Sequence, residues 1–274
     1  MQVSQIEDIQ DFLAVTAAFR ARDLIRTSLI TAVANAVAIG TRKYDAYYWW
    51  IVKDDDEIVG IAMRTVPMPY ALSPMPDAAV KALVDKIMIV DPNIPGVGGH
   101  NSTVKMFCKY FDKHISHQER ELLYRLDVLN PSIMPGIVRK AEDNDFAIIC
   151  QWLKAFLNEV GVPNYNSDIM VRSAIEHGRY HILIVDGEPV AFGGHSGIVV
   201  VDGLKIDRIA PIYTPAKHRR HGYASAITSH ISKLILDADA IPTLCTQAEN
   251  LTSNKIYQDI GYEFVDENIR VSFD

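Results

Sequence analysis

The chain has 274 residues, of which 49% are hydrophobic and 22% charged. These proportions are close to the globular average and exclude extended disorder, and the length accommodates two domains of ordinary size. The formal net charge of −7 excludes a broad basic surface for nucleic acid, because such a surface needs many Lys and Arg contacts to phosphate.

Membrane, targeting and metal signals are not found in the sequence. The N-terminal residues are acidic and amphipathic, unlike a signal peptide, and the longest apolar run, residues 29–40, is too short to span a bilayer. Cys108, Cys150 and Cys245 have neither disulfide nor zinc spacing. We therefore expect a cytoplasmic protein with no membrane partner, no nucleic-acid partner and no metal.

The first half of the sequence predicts two helices followed by a hairpin. Ser4 and Glu7 form a capping-box pattern that predicts a helix from Ser4, and a second helix is predicted over about 22–39. Residues 46–53 and 57–66 are β-rich and predict the hairpin. The later predictions of this half are a helix over 77–90, a glycine-rich break at 95–99, a helix in the segment 101–111 and a strand over 121–129.

A similar order begins again after the turn-rich segment 130–136. The predicted elements are helices over 147–160 and 167–178, hairpins over 180–194 and 197–214, and then helix, strand, helix and strand to the C-terminus. Few residues match directly between the two halves. The sequence thus predicts an α/β (α+β) fold with two domains, residues 1–130 and 131–274, each a mixed central sheet flanked by helices.

Residues 212–235 have the pattern of an anion-binding turn. The strand "APIYT" leads through a short connection to Gly222, where an amphipathic helix begins. The unpaired backbone N–H groups and the dipole of a helix N-terminus favour an anion. Gly222 and Ala224 allow phosphate oxygens to approach the backbone, and Arg219 and Arg220 add positive charge. The pattern predicts a pyrophosphate site without the motifs of a nucleotide P-loop or a dinucleotide fold.

Two segments together resemble the GNAT superfamily of N-acetyltransferases. Residues 219–224, "RRHGYA", match its R/Q-x-x-G-x-G/A signature, and residues 250–262, "NLTSNKIYQDIGY", are similar to its N-x-x-A/S-x-x-x-Y…G-[FY] element. The combined pattern is similar to bacterial predicted acetyltransferases with two GNAT-like halves. The resemblance covers about 138–266 and is faint over 1–130. It implies tandem GNAT-like domains, with acetyl-CoA (coenzyme A) bound by 131–274 and a degenerate copy at 1–130.

The resemblance also implies the roles of individual residues. Backbone groups near Ile212 and Thr214 pair with the pantetheine arm, and N–H groups from Arg220 through Ser225 bind pyrophosphate. The catalytic residue is Tyr257, whose phenol protonates the departing thiolate. The implied cofactor-binding residues are Ile212, Tyr213, Thr214, Arg219, Arg220, His221, Gly222, Tyr223, Ala224, Ser225, Asn250 and Ser253.

The general base is not identified by any motif. Asp207 and Glu249 are candidates, although Asp207 is more simply explained as a partner of Arg208 or as a solvent-facing residue. His181, His195 and His230 are dispersed along the chain without metal-ligand spacing.

The resemblance implies direct transfer of an acetyl group from acetyl-CoA to a primary amine of a small molecule or peptide. A transferase for a longer acyl-CoA and a non-catalytic acyl-CoA-binding module remain alternatives. A nucleotide-binding protein is disfavoured because the Lys-Ser/Thr pair of a P-loop is missing.

Overall fold

A computed structural model describes residues 1–162, 164 and 166–274 of the chain. Over these residues the molecule is a mixed α/β structure in which helices flank one large sheet. The predicted fold class is therefore confirmed. No helix in this part of the chain is long and apolar enough to cross a membrane.

The chain up to Arg125 forms what we call the first half of the molecule. Its strands are β1 (Gln2–Ile6), β2 (Tyr47–Asp54), β3 (Glu57–Thr65), β4 (Tyr70–Leu72), β5 (Gly96–His100) and β6 (Ile115–Arg125). Its helices are α1 (Ile9–Val15), α2 (Ala17–Arg22), α3 (Ser28–Ala38), α4 (Asp77–Val90) and α5 (Asn101–Phe111).

The chain from Ile137 onward forms the second half. Its strands are β7 (Ile137–Lys140), β8 (Tyr180–Val185), β9 (Glu188–His195), β10 (Val199–Val201), β11 (Leu204–Tyr213), β12 (Ile241–Gln247) and β13 (Glu263–Phe273). Its helices are α6 (Phe146–Glu159), α7 (Ser167–Glu176), α8 (Tyr223–Asp237) and α9 (Leu251–Ile260). The two hairpins close at Asp-Gly pairs with positive φ, as the sequence predicts.

The two halves exchange one strand each. The order across the sheet is β1-β2-β3-β4-β5-β13-β6-β12-β11-β9-β8-β7, and β10 pairs with β11. The last strand, β13, lies between β5 and β6 of the first half, and β6 lies between β13 and β12. The β6–β13 pairing runs from Ile115 opposite Phe273 to Arg125 opposite Glu263. Neither half therefore completes its sheet with its own residues.

A hydrophobic cluster also crosses the boundary between the halves. Polar contacts reinforce it, including an ion pair of 2.5 Å between Arg26 Nε and Asp266 Oδ2 and a hydrogen bond of 3.4 Å from Arg208 Nη1 to Ser28 Oγ. The buried members of the cluster are Leu24, Ile25, Leu123, Val199, Val201 and Ile206. The halves share a core, so a cleft between them has walls that are fixed by packing.

Three local predictions for the first half are wrong. Residues 2–6 pair with β2 as a strand, so the first helix begins later, and Asp8 rather than Ser4 caps it. The predicted helix over 22–39 is interrupted, because α2 ends at Arg22 and α3 begins at Ser28. The segment 95–99 is not a break but the greater part of β5.

Close packing explains the glycines of β5. A Cβ on Gly96 would lie 2.1 Å from the carbonyl oxygen of Val271, and one on Gly99 would lie 2.4 Å from that of Leu72. Gly99 also has a φ of +147°, which other residues rarely adopt. The other predicted helices and strands are confirmed with shifted ends, the largest shift being that of β6, which begins at Ile115 rather than at residue 121.

Candidate active site

The sheet opens between β11 and β12. The two strands pair in parallel only from Ile206 to Arg208. A register shift between Ile209 and Ile212 then bends β11, which continues beside β9. Among the described residues, no strand covers the other edge of β11 beyond the bend. An extended ligand can therefore add to this edge by backbone hydrogen bonds.

The residues predicted for the pantetheine arm lie along this open edge. Ile212 is half-buried against the apolar face of α8. The Tyr213 side chain points instead into the core beneath α6, where it is 9% exposed and packs near Phe156 and Phe192. Tyr213 therefore offers only its backbone to a ligand in the gap.

The turn before α8 leaves a row of backbone donors without partners. Gly222 is the N-cap with a φ of +77°, Arg220 is also left-handed at +68°, and no side chain caps the helix. The first hydrogen bond of the helix runs from the Ala226 N–H to the Gly222 carbonyl at 3.0 Å. No described residue accepts a hydrogen bond from the backbone N–H groups of residues 220–225. Such unpaired donors at a helix N-terminus suit an anion.

Arg219 stabilises this turn through hydrogen bonds, and its charge is already paired with a carboxylate. Its guanidinium donates to the Thr214 carbonyl at 2.9 Å and to both carboxylate oxygens of Glu159 at 2.7 and 2.8 Å. These bonds tie the turn to the end of β11 and to α6. The His221 ring stacks on Tyr223 with 5.4 Å between ring centroids. Arg220 is exposed, so it is the arginine of the pair that remains available to an anion.

The start of α9 is held by two asparagines. Asn250 Oδ1 accepts a hydrogen bond of 3.1 Å from the Ser253 N–H, so Asn250 caps the helix. Asn254 Nδ2 donates to the carbonyls of Gln247 and Ala248 at 3.2 and 3.0 Å, which links α9 to the end of β12. Asn254 was not predicted from the sequence. The sequence indicates it only as a polar residue in an amphipathic helix, and its burial is visible only in the structure.

Tyr257 lies one turn further along α9, above the apolar cluster that α8 and the sheet form. Its ring is 6.0 Å from that of Tyr262 and 6.5 Å from that of Tyr124. Burial raises the pKa of the Tyr257 phenol to about 12, and the Ser253 side chain acts in the opposite direction. The phenol is therefore protonated at neutral pH and can donate a proton or a hydrogen bond.

The interpretation of Asp207 as a solvent-facing residue or a partner of Arg208 is wrong. Asp207 is 1% exposed. Its Oδ2 is 2.6 Å from His195 Nδ1, and its Oδ1 accepts a hydrogen bond of 3.1 Å from Ser196 Oγ. The pair forms because His195 at the end of β9 lies opposite Ile209 on β11. Glu249, the other candidate base, is exposed in the turn before α9.

The histidines that are dispersed in sequence come together around this pair. The His181 ring lies 5.8 Å from that of His195 and 5.7 Å from that of His230. Both ring nitrogens of His181 are buried and have no hydrogen-bond partner among the described residues. Burial, followed by the charges of His195, His230 and Lys140, lowers the pKa of His181 to about 3. The described residues contain no group of three or more metal-ligating side chains that could hold an ion.

A cavity of about 600 Å³ lies between residues 39–44 of the first half and α7 of the second. A second cavity of about 30 Å³, which we call the narrow inner end, shares the lining residues Thr41, Arg42, Met170 and Ser173 with it and is also lined by His195 and by Ala210 at the bend of β11. The open edge of β11, the His195–Asp207 pair and a cavity between the halves therefore adjoin one another.

Comparisons with known proteins agree with this architecture. Residues 204–271 match the family model described as FR47-like protein, and no curated protein matches the chain. A GNAT-family acetyltransferase from Colwellia psychrerythraea has 10% identity and a TM-score of 0.69, with 100% of both chains covered. A Drosophila protein has 12% identity and a TM-score of 0.70, with coverage of 99% of this chain and 98% of its own.

A tandem GNAT protein from the clavulanic acid biosynthesis pathway has 10% identity and a TM-score of 0.59, and the match covers 98% of this chain and 97% of that one. Similarity at this level of identity extends to the fold. The resemblance predicted from the two sequence segments is confirmed, and the chain has the tandem fold of the GNAT acetyltransferases.

Proposed function

We propose that the protein is an N-acetyltransferase that moves an acetyl group directly from acetyl-CoA to a primary amine. We assign acetyl-CoA binding to residues 131–274 and the shaping of the acceptor site to residues 1–130. The observation that carries the proposal is the row of N–H groups at 220–225, which have no partner among the residues that the structure describes and follow a strand whose edge those residues leave open. A cytoplasmic location suits the three cysteines, which are free thiols.

The residues present fit this co-substrate. Pantetheine is an extended chain with amide groups, and the edge of β11 beyond the bend offers backbone groups to such a chain. Pyrophosphate is an anion that suits the N-terminus of α8, where a Cβ added to Gly222 would meet nothing within 4 Å. That empty space lets phosphate oxygens reach the backbone. Arg220 adds an exposed positive charge beside it.

The chemistry needs an acid for the leaving thiolate and a neutral amine. In direct transfer the amine nitrogen bonds to the thioester carbonyl carbon and the carbon–sulfur bond breaks. Tyr257 holds its proton at neutral pH and would donate it to the sulfur as that bond breaks. Burial raises the pKa of all three cysteine thiols, that of Cys108 and Cys150 to about 11, so each is a poor nucleophile for an acyl-cysteine route.

The first half lacks the features that support an acetyl-CoA site. Only residues 73–76 separate β4 from α4, whereas residues 214–222 separate β11 from α8. The N-cap of α4 is Pro76, with no glycine turn before it. We therefore expect one molecule of acetyl-CoA for each chain, bound by the second half.

Two matched glycine variants test the proposal. Gly222 and Gly203 have φ values of +77° and +79°, and a Cβ on either would meet nothing within 4 Å. Gly222→Leu and Gly203→Leu should therefore lose similar stability, about 1–2 kcal/mol for a side chain in the left-handed region. Only Gly222→Leu should weaken acetyl-CoA binding, by more than tenfold, in a calorimetric titration.

Thermal-shift titrations with acetyl-CoA, coenzyme A, ATP and NAD give the first answer. Stabilisation by the coenzyme A species alone supports the proposal, and a longer acyl-CoA that stabilises more strongly would replace acetyl as the transferred group. Equal weakening in the two glycine variants, or no shift with any coenzyme A species, would overturn it. Binding without turnover over a broad amine panel would identify a non-catalytic acyl-CoA-binding module.

A further inference from the structure

The cavity between the halves has an apolar body and a charged inner end. Its wider part is lined by apolar side chains that include Ile39, Phe146, Ile169 and Met170. Arg172 stacks on Phe146 at 4.4 Å from the ring centroid. Acidic side chains also line the wider part, but Asp168 is paired with Lys154 at 3.0 Å.

The narrow inner end carries positive charge. Its charged side chains are Arg42 from the first half and Arg179 from the second, and no carboxylate lines it. Among the described residues, neither arginine forms an ion pair within 4.0 Å. Arg179 donates to the Ser196 carbonyl at 3.0 Å and to Ser173 Oγ at 3.3 Å, while its Nε is buried without a partner.

The positive charges of Arg42 and Arg179 repel each other. Burial lowers the pKa of Arg179 and the positive charge of Arg42 lowers it further, while Tyr180 and Asp207 act more weakly in the opposite direction. Two like charges held close together in a partly buried place are stabilised by an anion between them. A carboxylate fits this arrangement because guanidinium groups bind it through paired hydrogen bonds.

His195 lies at the same inner end, beside Ala210 at the bend of β11. Its Nδ1 faces Asp207, so Nε2 is the nitrogen left for a substrate, and no described residue hydrogen-bonds to it. The charged and titratable groups around the imidazole are Asp207 on β11, Arg42, Arg179 before β8 and His181 on β8, and His230 on α8 lies against His181. An acceptor held by Arg42 and Arg179 would present its amine close to His195.

We propose that this cavity is the acceptor site and that its acceptor is an amine that also bears a carboxylate and an apolar body, as an apolar amino acid does. Arg42 and Arg179 bind the carboxylate, and His195, positioned by Asp207, receives the proton of the attacking amine. This inference rests on the proposed acetyl transfer.

The step balances without a further reactant. The amine nitrogen forms a bond to the thioester carbonyl carbon and gives one proton to His195 Nε2. The carbon–sulfur bond breaks, and the thiolate takes the proton of Tyr257. The proton on His195 then leaves to solvent and Tyr257 is reprotonated, so that the products are an amide and a free thiol.

Matched acceptors test the recognition of the carboxylate. Coenzyme A release would be measured with phenylalanine and leucine, and with the amide and the decarboxylated amine of each. In the unchanged protein we expect kcat/KM to be at least tenfold higher for the acids. Arg42→Gln and Arg179→Gln should each remove most of that preference through a higher KM for the acid. Arg22→Gln is the control, because Arg22 lies on the surface and pairs with Glu57 away from the cavity.

Acetyl-CoA binding, measured by calorimetry on each protein, separates the two proposals. If acetyl-CoA binds and the acids have no advantage over the amides, or no acid is turned over or bound, the acceptor inference is overturned and the proposed function stands. If the acids are preferred but neither arginine variant changes the preference, the assigned site is wrong. If acetyl-CoA does not bind, the proposed function fails and this inference fails with it.

Chemical rescue tests the base. His195→Ala should lower kcat about 100-fold with little change in KM for acetyl-CoA, and added imidazole should restore a measurable part of the rate. Asp207→Asn should lower kcat while leaving both KM values near those of the unchanged protein. A folded His195→Ala protein that keeps its rate, or that imidazole does not rescue, would remove His195 from the mechanism.

Discussion

Tyr257 is the side chain on which the proposed chemistry depends most directly. Its phenol is protonated at neutral pH and lies 6.0 Å, centroid to centroid, from the ring of Tyr262. Tyr257→Phe should lower kcat about 100-fold, since a general acid contributes roughly that factor or more. The dissociation constant of acetyl-CoA, measured by calorimetry, should stay the same.

Tyr262→Phe is the matched control for Tyr257→Phe. Tyr262 shares a hydrogen bond of 2.8 Å with Ser232 Oγ and is 3% exposed, so its hydroxyl stabilises the fold and does not reach a substrate. Removal of that hydroxyl should cost about 1 kcal/mol in the free energy of unfolding and leave kcat unchanged. A full rate in Tyr257→Phe would show that another group supplies the proton.

His181 gives the protein a specific sensitivity to acid. Its pKa is about 3 in the folded state, against 6.5 for an ordinary imidazole. Between those values the unfolded chain holds one more proton, so stability falls as the pH falls. One such group accounts for a loss of about 2 kcal/mol in the free energy of unfolding between pH 7 and pH 5.

His181→Leu should remove that part of the pH dependence and cost little stability at pH 7, because neither imidazole nitrogen has a hydrogen-bond partner in the described part of the chain. Denaturant unfolding at several pH values measures the effect. His114→Leu, at a side chain 79% exposed, should leave the slope unchanged. Parallel pH profiles for His181→Leu and the unchanged protein would mean that His181 can be protonated in the folded state.

The residues whose local setting can be predicted from the sequence are those whose neighbours in space are also neighbours in the chain. Gly222 stands at the start of a helix, and the spacing from Asn250 to Tyr257 is that of a single helix face. The His195–Asp207 pair depends instead on the register between β9 and β11. The hydrophobic periodicity of the sequence does not determine that register, so the His195–Asp207 pair is seen only in the structure.

At the scale of elements, Asn254 connects α9 to β12. Asn254→Ala removes two hydrogen bonds and leaves the carbonyls of Gln247 and Ala248 without their donor. We expect a loss of about 1–3 kcal/mol in the free energy of unfolding, which is typical of buried groups left unsatisfied. Because α9 carries Tyr257, kcat should fall as well, while the affinity for acetyl-CoA changes less.

Lys255→Ala is the control for Asn254→Ala in the same helix. Lys255 is exposed and pairs with Asp259 one turn away at 3.1 Å, a contact worth only a few tenths of a kcal/mol. Thermal unfolding and steady-state rates would be compared for both variants. Equal effects of the two changes would show that the link from α9 to β12 has no special role.

Elements with a strong internal pattern are predictable, and those defined by distant partners are not. The helix over 77–90 is found as predicted, because its apolar spacing is complete within one segment. β1 and β5 were missed for a different reason. β1 exists because β2 lies beside it, and the glycines of β5 are explained only by β4 and β13 on either side.

At the scale of the whole molecule, the exchange of β6 and β13 is the feature furthest from the sequence. The local sequence pattern of each strand is equally compatible with pairing to strands of its own half. Their pairing with each other joins the two half-sheets into one and places the loop at residues 39–44 against α7. The cavity that we assign to the acceptor therefore depends on both halves.

This exchange predicts that residues 1–130 and 131–274 do not fold separately. The first fragment lacks β13 beside β5, and the second lacks β6 between β12 and β13, so each exposes unpaired strand edges and part of the shared core. Expressed alone, each fragment should aggregate or lack a cooperative thermal transition. Mixed during refolding, the two should recover a cooperative transition and acetyl-CoA binding. A folded fragment 131–274 that binds acetyl-CoA by itself would show that β6 is dispensable and that the second half is an independent domain.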